Sequence, residues 1–223
     1  MKSFADLSLK PKDTETAVEM LRLARSLGYK LVCLEASDSI DYGIVSKLSE
    51  DLGLRLCLRV TVEGRTRKEV RVKIDQVKKS LKKDFFLLAV SAKDLDALRY
   101  SATCKEVVLT RVEPGAERFI DRSQVRLFAQ RGWGAVELVL RPVLVENRLD
   151  YLYVAITRAL RSGLEVIVSS DSRDVWEMWS PYHIVGLLVA LGVPEAIART
   201  WISSAGARVV ERAFINVSRF YKF

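Results

Sequence analysis

Residues 135–173 read AVELVLRPVLVENRLDYLYVAITRALRSGLEVIVSSDSR, and this stretch predicts the fold of the chain. Its two apolar runs, Ala135–Leu140 and Leu164–Val168, have the length and composition of buried strands. Between them, Leu149–Arg161 carries apolar residues at helical spacing. A strand, a helix and a second strand in this order form a right-handed crossover between parallel strands. The loops after the carboxyl ends of such strands are where binding groups collect.

The same alternation of strands and helices extends along the whole chain. Seven strands are predicted, at Phe4–Leu9, Leu31–Ala36, Leu54–Val62, Phe85–Val90, Val107–Thr110, Ala135–Leu140 and Leu164–Val168. Helices are predicted at Thr16–Leu27 (capped by Asp13), Ser39–Leu52, Arg65–Lys83, Lys93–Tyr100, Asp121–Arg131, Leu149–Arg161, Ile184–Val193, Pro194–Ser204 and Ala205–Phe214. Because no linker interrupts this order, we expect residues 1–223 to form a single α/β domain, a TIM-barrel-like arrangement of parallel strands. A doubly wound open sheet is the alternative architecture.

The charge balance of the chain favours a nucleic-acid partner. Lys and Arg number 36 against 28 Asp and Glu, which gives a net charge of +8. A basic balance of this kind indicates nucleic acid as a partner, although some basic proteins have none. The three cysteines lack metal-ligand spacing, and no apolar run is long enough to cross a bilayer. We therefore expect a cytoplasmic protein that does not bind membranes.

Common catalytic motifs are missing from the sequence. It contains no GxSxG, GxxxxGK[ST] or GxGxxG motif, and its one histidine, His183, cannot build a site alone. Three carboxylates, Asp6, Glu35 and Asp171, do stand near strand ends. Together they could bind a divalent ion, which leaves an autonomous metal-dependent phosphoesterase as an alternative function. Helix capping and ion pairing are the competing roles for these carboxylates.

Basic residues are the positive signal, and they fall into two groups. The first is the helix predicted at Arg65–Lys83, whose cations form a solvated face. The second group lies at or just past strand ends: Arg59, Arg111, Arg141 and Arg173. Arginine's planar guanidinium binds phosphate in a bidentate manner, so these positions are candidates for holding RNA. Structural ion pairs with loop carboxylates are the equally available interpretation.

Several segments, taken in order, resemble a known family. ELVLRP, TRALRSG, VIVSSDSRD and SPYHIVGLLVALG are similar to the family of ribonuclease P protein component 3, a subunit of archaeal and eukaryotic ribonuclease P. The resemblance implies a distorted α/β barrel, similar to metal-dependent phosphoesterases of the polymerase-and-histidinol-phosphatase type. It also implies membership of the ribonucleoprotein that removes the 5′ leader from precursor tRNA. In that particle the RNA carries the active site.

The resemblance implies the following site and partners. The family's basic positions fall on Arg59, Arg111, Arg122, Arg131, Arg141, Arg158 and Arg173. No catalytic residue and no metal or other cofactor are expected on the protein, while magnesium is expected with the RNA. The expected partners are ribonuclease P RNA, precursor tRNA indirectly, and another small ribonuclease P protein subunit in a heterodimer or heterotetramer. Trp179 stands where relatives often carry a cation, and it is available to stack on a base.

Overall fold

The computed structural model describes residues 3–80, 86–116 and 119–220, which alternate between strands and helices. The strands are β1 (Phe4–Leu9), β2 (Tyr29–Glu35), β3 (Arg55–Gly64), β4 (Phe86–Ala92), β5 (Leu109–Val112), β6 (Ala135–Val139) and β7 (Glu165–Ser169). The helices are α1 (Thr14–Ser26), α2 (Tyr42–Asp51), α3 (Arg67–Ser80), α4 (Leu95–Thr103), α5 (Arg122–Arg131), α6 (Leu140–Val145), α7 (Leu149–Ser162), α8 (Pro181–Ala190), α9 (Glu195–Trp201) and α10 (Ser204–Phe220). A short 3₁₀ helix, η1, covers Val175–Glu177.

All seven strands form one parallel sheet in sequence order, from β1 to β7. The sheet curves into a nearly closed barrel, because Leu9 at the end of β1 forms a parallel bridge with Ser172 just after β7. The backbone N–H of Lys10 also donates to the carbonyl oxygen of Ser172, at 2.8 Å. The predicted TIM-barrel-like α/β fold is therefore confirmed, and the open doubly wound sheet is not what forms.

The amino-terminal half of the seam between β1 and β7 is filled by α10 instead of a further strand. The N–H of Ala5 donates to the carbonyl oxygen of Ile202, at 2.9 Å, just before α10 begins. A Cβ placed on Gly206 would lie 2.8 Å from the Cβ of Ala5. Glycine at this position therefore allows α10 to approach the backbone of β1 closely.

Two apolar clusters hold the barrel together. The larger one lies between the strands and the surrounding helices and extends from Phe4 to Ile202. The smaller one joins alternate strand residues, such as Leu7, Cys33 and Leu109, to Val209 and Val210 of α10. Since successive strand residues point to opposite faces, this second cluster is the interior of the barrel. Parallel strands buried on both faces explain the nearly continuous apolar runs of the sequence.

Local signals placed the strands and most helices correctly, and strand Phe4–Leu9 agrees at both ends, but many of the other predicted boundaries differ from the observed ones by one or more residues. The side chain of Asp13 caps α1 by accepting from the N–H of Thr16, as predicted. Predicted strand Val107–Thr110 is wrong by two residues, since β5 is Leu109–Val112. The ends of the predicted basic helix, at 81–83, and the first residue of the predicted fourth strand, Phe85, lie outside the described residues.

Helix α6 was not predicted. The sequence predicted a strand that reaches Leu140, whereas Leu140–Val145 is helical. Pro142 is tolerated because it lies in the first helical turn, where backbone N–H groups have no intrahelical partner. Among the described residues, no helix has the length and apolarity required to span a bilayer.

Candidate functional site

The register of the parallel strands places charged side chains inside the barrel, near its carboxyl-terminal mouth. Glu35 of β2 pairs in register with Arg59 of β3, and Arg111 of β5 pairs in register with Glu137 of β6. These positions continue the inward-facing alternation of apolar residues such as Cys57. A layer of ion pairs therefore lies above the apolar interior.

Arg59 and Glu137 face each other across this layer. Nη1 and Nη2 of Arg59 donate to Oε1 and Oε2 of Glu137, each at 2.6 Å. Nη1 also donates to the carbonyl oxygen of Leu7 at 2.7 Å, and Nε donates to Oγ1 of Thr61 at 3.0 Å. Both charged side chains are 0% exposed. The guanidinium of Arg59 is thus occupied by groups of its own chain.

Arg111, the second predicted RNA ligand inside the barrel, is also buried. Its Nη2 lies 3.1 Å from Oδ2 of Asp171, and its Nε lies 2.6 Å from Oε1 of Glu113, without the alignment of a hydrogen bond. Asp171 also accepts from Oγ of Ser8 at 2.8 Å and lies 3.1 Å from Nζ of Lys10. These contacts tie β5 to the seam between β1 and β7.

Among the residues that the structure describes, the mouth carries no excess of positive charge. Its three cations, Lys10, Arg59 and Arg111, lie among the carboxylates Glu35, Glu113, Glu137 and Asp171. Burial is the largest single influence on the pKa of Glu137 and raises it, but the charges of Arg59 and Arg111 and the hydrogen bonds from Arg59 and Ser169 together lower that pKa. Burial likewise opposes ionisation of Asp171, and the charge of Arg111 lowers its pKa. Both carboxylates are therefore held ionised beside their arginines.

Asp6 is the exception among the mouth carboxylates. Its Oδ1 accepts from the N–H of Ser8 in β1 at 3.1 Å and from the N–H of Ser170 after β7 at 3.2 Å. Burial raises its pKa to about 6, although hydrogen bonds from Ser170 and Ser8 oppose this rise. Asp6 therefore links the two strands at the seam of the barrel.

The three strand-end carboxylates proposed for the alternative phosphoesterase do not face a shared empty position. Glu35 accepts from the N–H and Oγ1 of Thr61, at 2.5 and 2.6 Å. Asp171 faces Arg111 and Lys10, and Asp6 binds backbone N–H groups. Within the described parts of the chain, no group of three or more His, Cys, Asp or Glu residues is arranged to hold a metal ion.

Arg141 and Arg173 lie at the rim of the mouth, around Glu177 of η1. Nε of Arg141 lies 2.8 Å from both carboxylate oxygens of Glu177. The backbone N–H of Arg173 donates to the same carboxylate at 2.8 Å, while its side chain is exposed. One acid thus connects helix α6, which follows β6, with the loop after β7.

Arg131 fixes the end of α5. Its Nε donates to the carbonyl oxygen of Trp133 at 2.8 Å, and its Nη1 donates to the carbonyl oxygens of Ser101 and Cys104. The guanidinium lies over the rings of Phe128 and Trp133, and burial lowers its pKa to about 10. This side chain joins α4 to α5 and has the contacts of a structural residue.

Arg122 and Arg158, the remaining predicted RNA ligands, lie on the outer surface. Arg122 is exposed at the start of α5. Arg158 of α7 is half-buried, where it stacks on Phe119 and donates to that residue's carbonyl oxygen at 3.0 Å. The seven predicted arginines thus occupy separate places, and their roles in RNA binding stay predictions.

Sequence reasoning missed three residues that matter for the site. Glu137 was taken as part of an apolar strand, although a carboxylate in the middle of AVELV signals a buried partner. Arg126 and Arg161 line the outer surface with Arg122 and Arg158. Arg126 follows Arg122 by four residues on α5, and Arg161 follows Arg158 by three on α7. These spacings can be seen in the sequence, and residues so spaced share a helix face.

The basic helix and the aromatic residues have mixed environments. In α3, Lys78 pairs with Glu106 at 2.7 Å and Nζ of Lys73 donates to the carbonyl oxygen of Glu63 at 2.6 Å.

Trp176 is 92% exposed, whereas Trp179 is partly buried against the core. Trp176 is therefore a surface residue, and Trp179 packs at the edge of the core.

Fold and site together define a class: a TIM-barrel-like α/β protein with an internally neutralised mouth and exposed arginines on its outer helices. The model of the family described as RNase P subunit p30 matches residues 3–214. Ribonuclease P protein component 3 of Aeropyrum pernix is 34% identical over 211 residues, which cover 92% of this chain and 95% of that protein. The chain belongs to the RNase P subunit p30 family and is therefore a protein subunit of ribonuclease P, as its sequence predicted.

Solved structures show the same fold. A chain in the cryo-EM structure of archaeal ribonuclease P with mature tRNA matches with a TM-score of 0.72 at 16% identity, covering 97% of this chain and 93% of that chain. The crystal structure of an amidohydrolase matches with a TM-score of 0.66 at 11% identity, covering 95% of this chain and 75% of that chain. At such low identities these matches concern the fold alone.

Proposed function

We propose that the chain binds ribonuclease P RNA through exposed arginines on its outer surface, and that the mouth of the barrel is a structural element. The observation that carries this proposal is the bidentate, fully buried pair between Arg59 and Glu137. An arginine that is fully buried and held by four hydrogen bonds of its own chain is not accessible to a phosphate. Phosphate binding is thus left to arginines outside the barrel, where counterion release favours RNA binding.

The chemistry of leader removal is proposed to reside in the RNA. In the structure, the mouth carboxylates contact cations, hydroxyls and backbone amides of their own chain. Under this proposal the protein supplies no autonomous active site, magnesium is held by the RNA, and the particle acts in the cytoplasm. Precursor tRNA then meets this chain indirectly, through the RNA that the chain stabilises.

A second small ribonuclease P protein is the proposed protein partner, in a heterodimer or heterotetramer. Trp176 supports this part of the proposal, since it is 92% exposed at the rim of the mouth. Exposed tryptophans are frequent anchors of protein interfaces. Tyr182, on the neighbouring helix α8, is exposed as well and lies against Phe4 with ring centroids 5.4 Å apart.

Equilibrium binding of the purified chain to ribonuclease P RNA, measured across salt concentrations, tests the proposal. The logarithm of the association constant should fall linearly with the logarithm of salt, by about 0.7 to 0.9 for each phosphate contact. The control is hydrolysis of a model phosphodiester by the chain alone with magnesium, manganese or zinc, for which we expect no turnover. Binding without salt dependence, or metal-dependent turnover by the chain, would contradict the proposal.

A further inference from the structure

We propose that the groove between α5 and α7 holds the sugar–phosphate backbone of RNA. This inference deepens the proposed function by naming the surface that binds, and it rests on that function. The groove encloses a cavity of about 640 Å³. Four arginines line it, Arg122 and Arg126 from α5 and Arg158 and Arg161 from α7, together with Val125 and Ser162.

The spacing of the arginines gives the groove two cationic walls. Arg122 and Arg126 are one helical turn apart on α5, and Arg158 and Arg161 are nearly one turn apart on α7. Side chains so spaced project from one helix face with Cβ atoms roughly 5–6 Å apart. This separation is comparable with that of successive phosphates along a strand. The two guanidinium groups of each wall can therefore hold neighbouring phosphates.

The positive charge of the groove is uncompensated in the described parts of the chain. The acid that lines the groove, Asp121, is engaged by Nη2 of Arg99 at 2.5 Å. No carboxylate of the described residues pairs with Arg122, Arg126 or Arg161, and all three are exposed. Arg122 also occupies the first turn of α5, where the helix dipole disfavours a cation. A bound anion would reduce the repulsion among the arginines and the unfavourable interaction of Arg122 with the helix dipole.

The groove continues beyond this cavity in both directions. It shares Arg158 with a cavity of about 330 Å³ beside Gly115 and Arg148. It shares Val125 and Ser162 with a cavity of about 360 Å³ beside Trp133 and Arg212. A concave path of this length fits a polymer better than a small anion.

RNA fits this path better than an acidic protein segment does. Protein interfaces centre on exposed aromatic or large apolar anchors. The lining of the central cavity contains no aromatic residue. Among the aromatic residues of the adjoining cavities, Phe119, Phe128 and Tyr151 are buried, and Trp133 is covered by the guanidinium of Arg131. The exposed Trp176 and Tyr182 belong to η1 and α8, which are not part of the groove. Arginine-rich walls without an aromatic centre are typical of phosphate-backbone binding.

The test compares two charge-matched double variants of the full chain in binding to ribonuclease P RNA. Arg126→Gln/Arg161→Gln removes one exposed arginine from each wall. Arg22→Gln/Arg25→Gln removes two exposed arginines of α1, which packs beside α2 and β2, away from the groove. The groove variant should bind on the order of a hundredfold more weakly. Its salt slope should be smaller by roughly 1.4 to 1.8, from two lost phosphate contacts.

The control variant should bind within about threefold of the parent, with a nearly unchanged salt slope. Equal losses in both variants would mean that net charge, not the groove, governs binding, and would overturn the inference. A groove variant that binds RNA like the parent but loses binding to another ribonuclease P protein would also overturn it. Failure of the parent itself to bind RNA would instead contradict the proposed function. Circular dichroism should show that both variants are folded, since the replaced side chains are exposed.

Discussion

The buried carboxylates at the mouth of the barrel are stabilised by groups of the protein itself. Glu137 is 0% exposed, yet it stays ionised because Arg59 donates two hydrogen bonds to it. Asp6 has no such partner among the described residues and accepts from two backbone N–H groups instead. One buried carboxylate is thus neutralised by a cation, while the pKa of the other is raised to about 6.

The stability of the protein should reflect the raised pKa of Asp6. In the folded chain this pKa is about 6, against 3.8 for the ordinary group. The folded state therefore retains the proton to higher pH than the unfolded state does. The free energy of unfolding contributed by Asp6 falls as pH rises from about 4 to about 6, and it stays low above that range. Glu137 and Asp171, whose pKa values are lowered, act in the opposite direction at acid pH.

Asp6→Asn keeps an acceptor oxygen for Ser8 and Ser170 but cannot ionise. Its free energy of unfolding should equal that of the parent near pH 4 and exceed it by about 3 kcal/mol at pH 7. Urea unfolding at several pH values measures this difference. Asp38→Asn, at an exposed position, is the control and should show no such trend. A difference in the free energy of unfolding that is constant or shrinks as pH rises would mean that folding does not raise the pKa of Asp6.

At the scale of elements, the sequence predicted the strands well but did not predict the side-chain contacts between them. Apolar runs such as Ala135–Leu140 mark buried strands regardless of what lies beside them. Because parallel strands are buried on both faces, the run does not reveal which residues point into the barrel. The contact of Arg59 with Glu137 joins residues 78 apart in sequence, and its formation depends on barrel closure. The arginines of α5 and α7 were accessible to prediction, since their spacing alone places them on shared faces.

Arg59 of β3 and Glu137 of β6 should show a large coupling energy in the free energy of unfolding. Glu137→Leu leaves the buried guanidinium of Arg59 without its main partner, and we expect a loss of about 3 to 5 kcal/mol in the free energy of unfolding. The double variant Arg59→Met/Glu137→Leu should lose less than Glu137→Leu alone, because no buried charge is left unpaired at that position. Urea unfolding of the four proteins in the double-mutant cycle gives the coupling energy.

The matched control for this cycle is the exposed pair of Glu165 and Arg208, whose atoms lie 2.7 Å apart. Glu165→Leu should cost no more than about 1 kcal/mol, as is usual for ion pairs at the surface. If Glu137→Leu cost no more than Glu165→Leu, the ion pairs would not be what holds the mouth together. Additive losses in the double variant would lead to the same conclusion.

At the scale of the whole molecule, internal and external charges have separate roles. The net charge of +8 does not come from the mouth, where carboxylates match the cations. Residues 65–83 account for much of it, with nine Lys and Arg against Glu69 and Asp75, and four further arginines meet in the groove between α5 and α7. A barrel whose interior is closed by its own ion pairs, and whose outer surface attracts phosphate, is suited to support an RNA.

Cleavage of precursor tRNA by reconstituted ribonuclease P tests this account most directly. The particle is assembled from ribonuclease P RNA and the other protein subunits, with this chain added or omitted, at limiting magnesium. Adding the chain should raise the cleavage rate at least about tenfold, corresponding to about 1.4 kcal/mol of stabilisation. Arg126→Gln/Arg161→Gln should restore only part of that gain. An identical rate with and without the chain, or cleavage by the chain when the RNA is left out, would contradict the account.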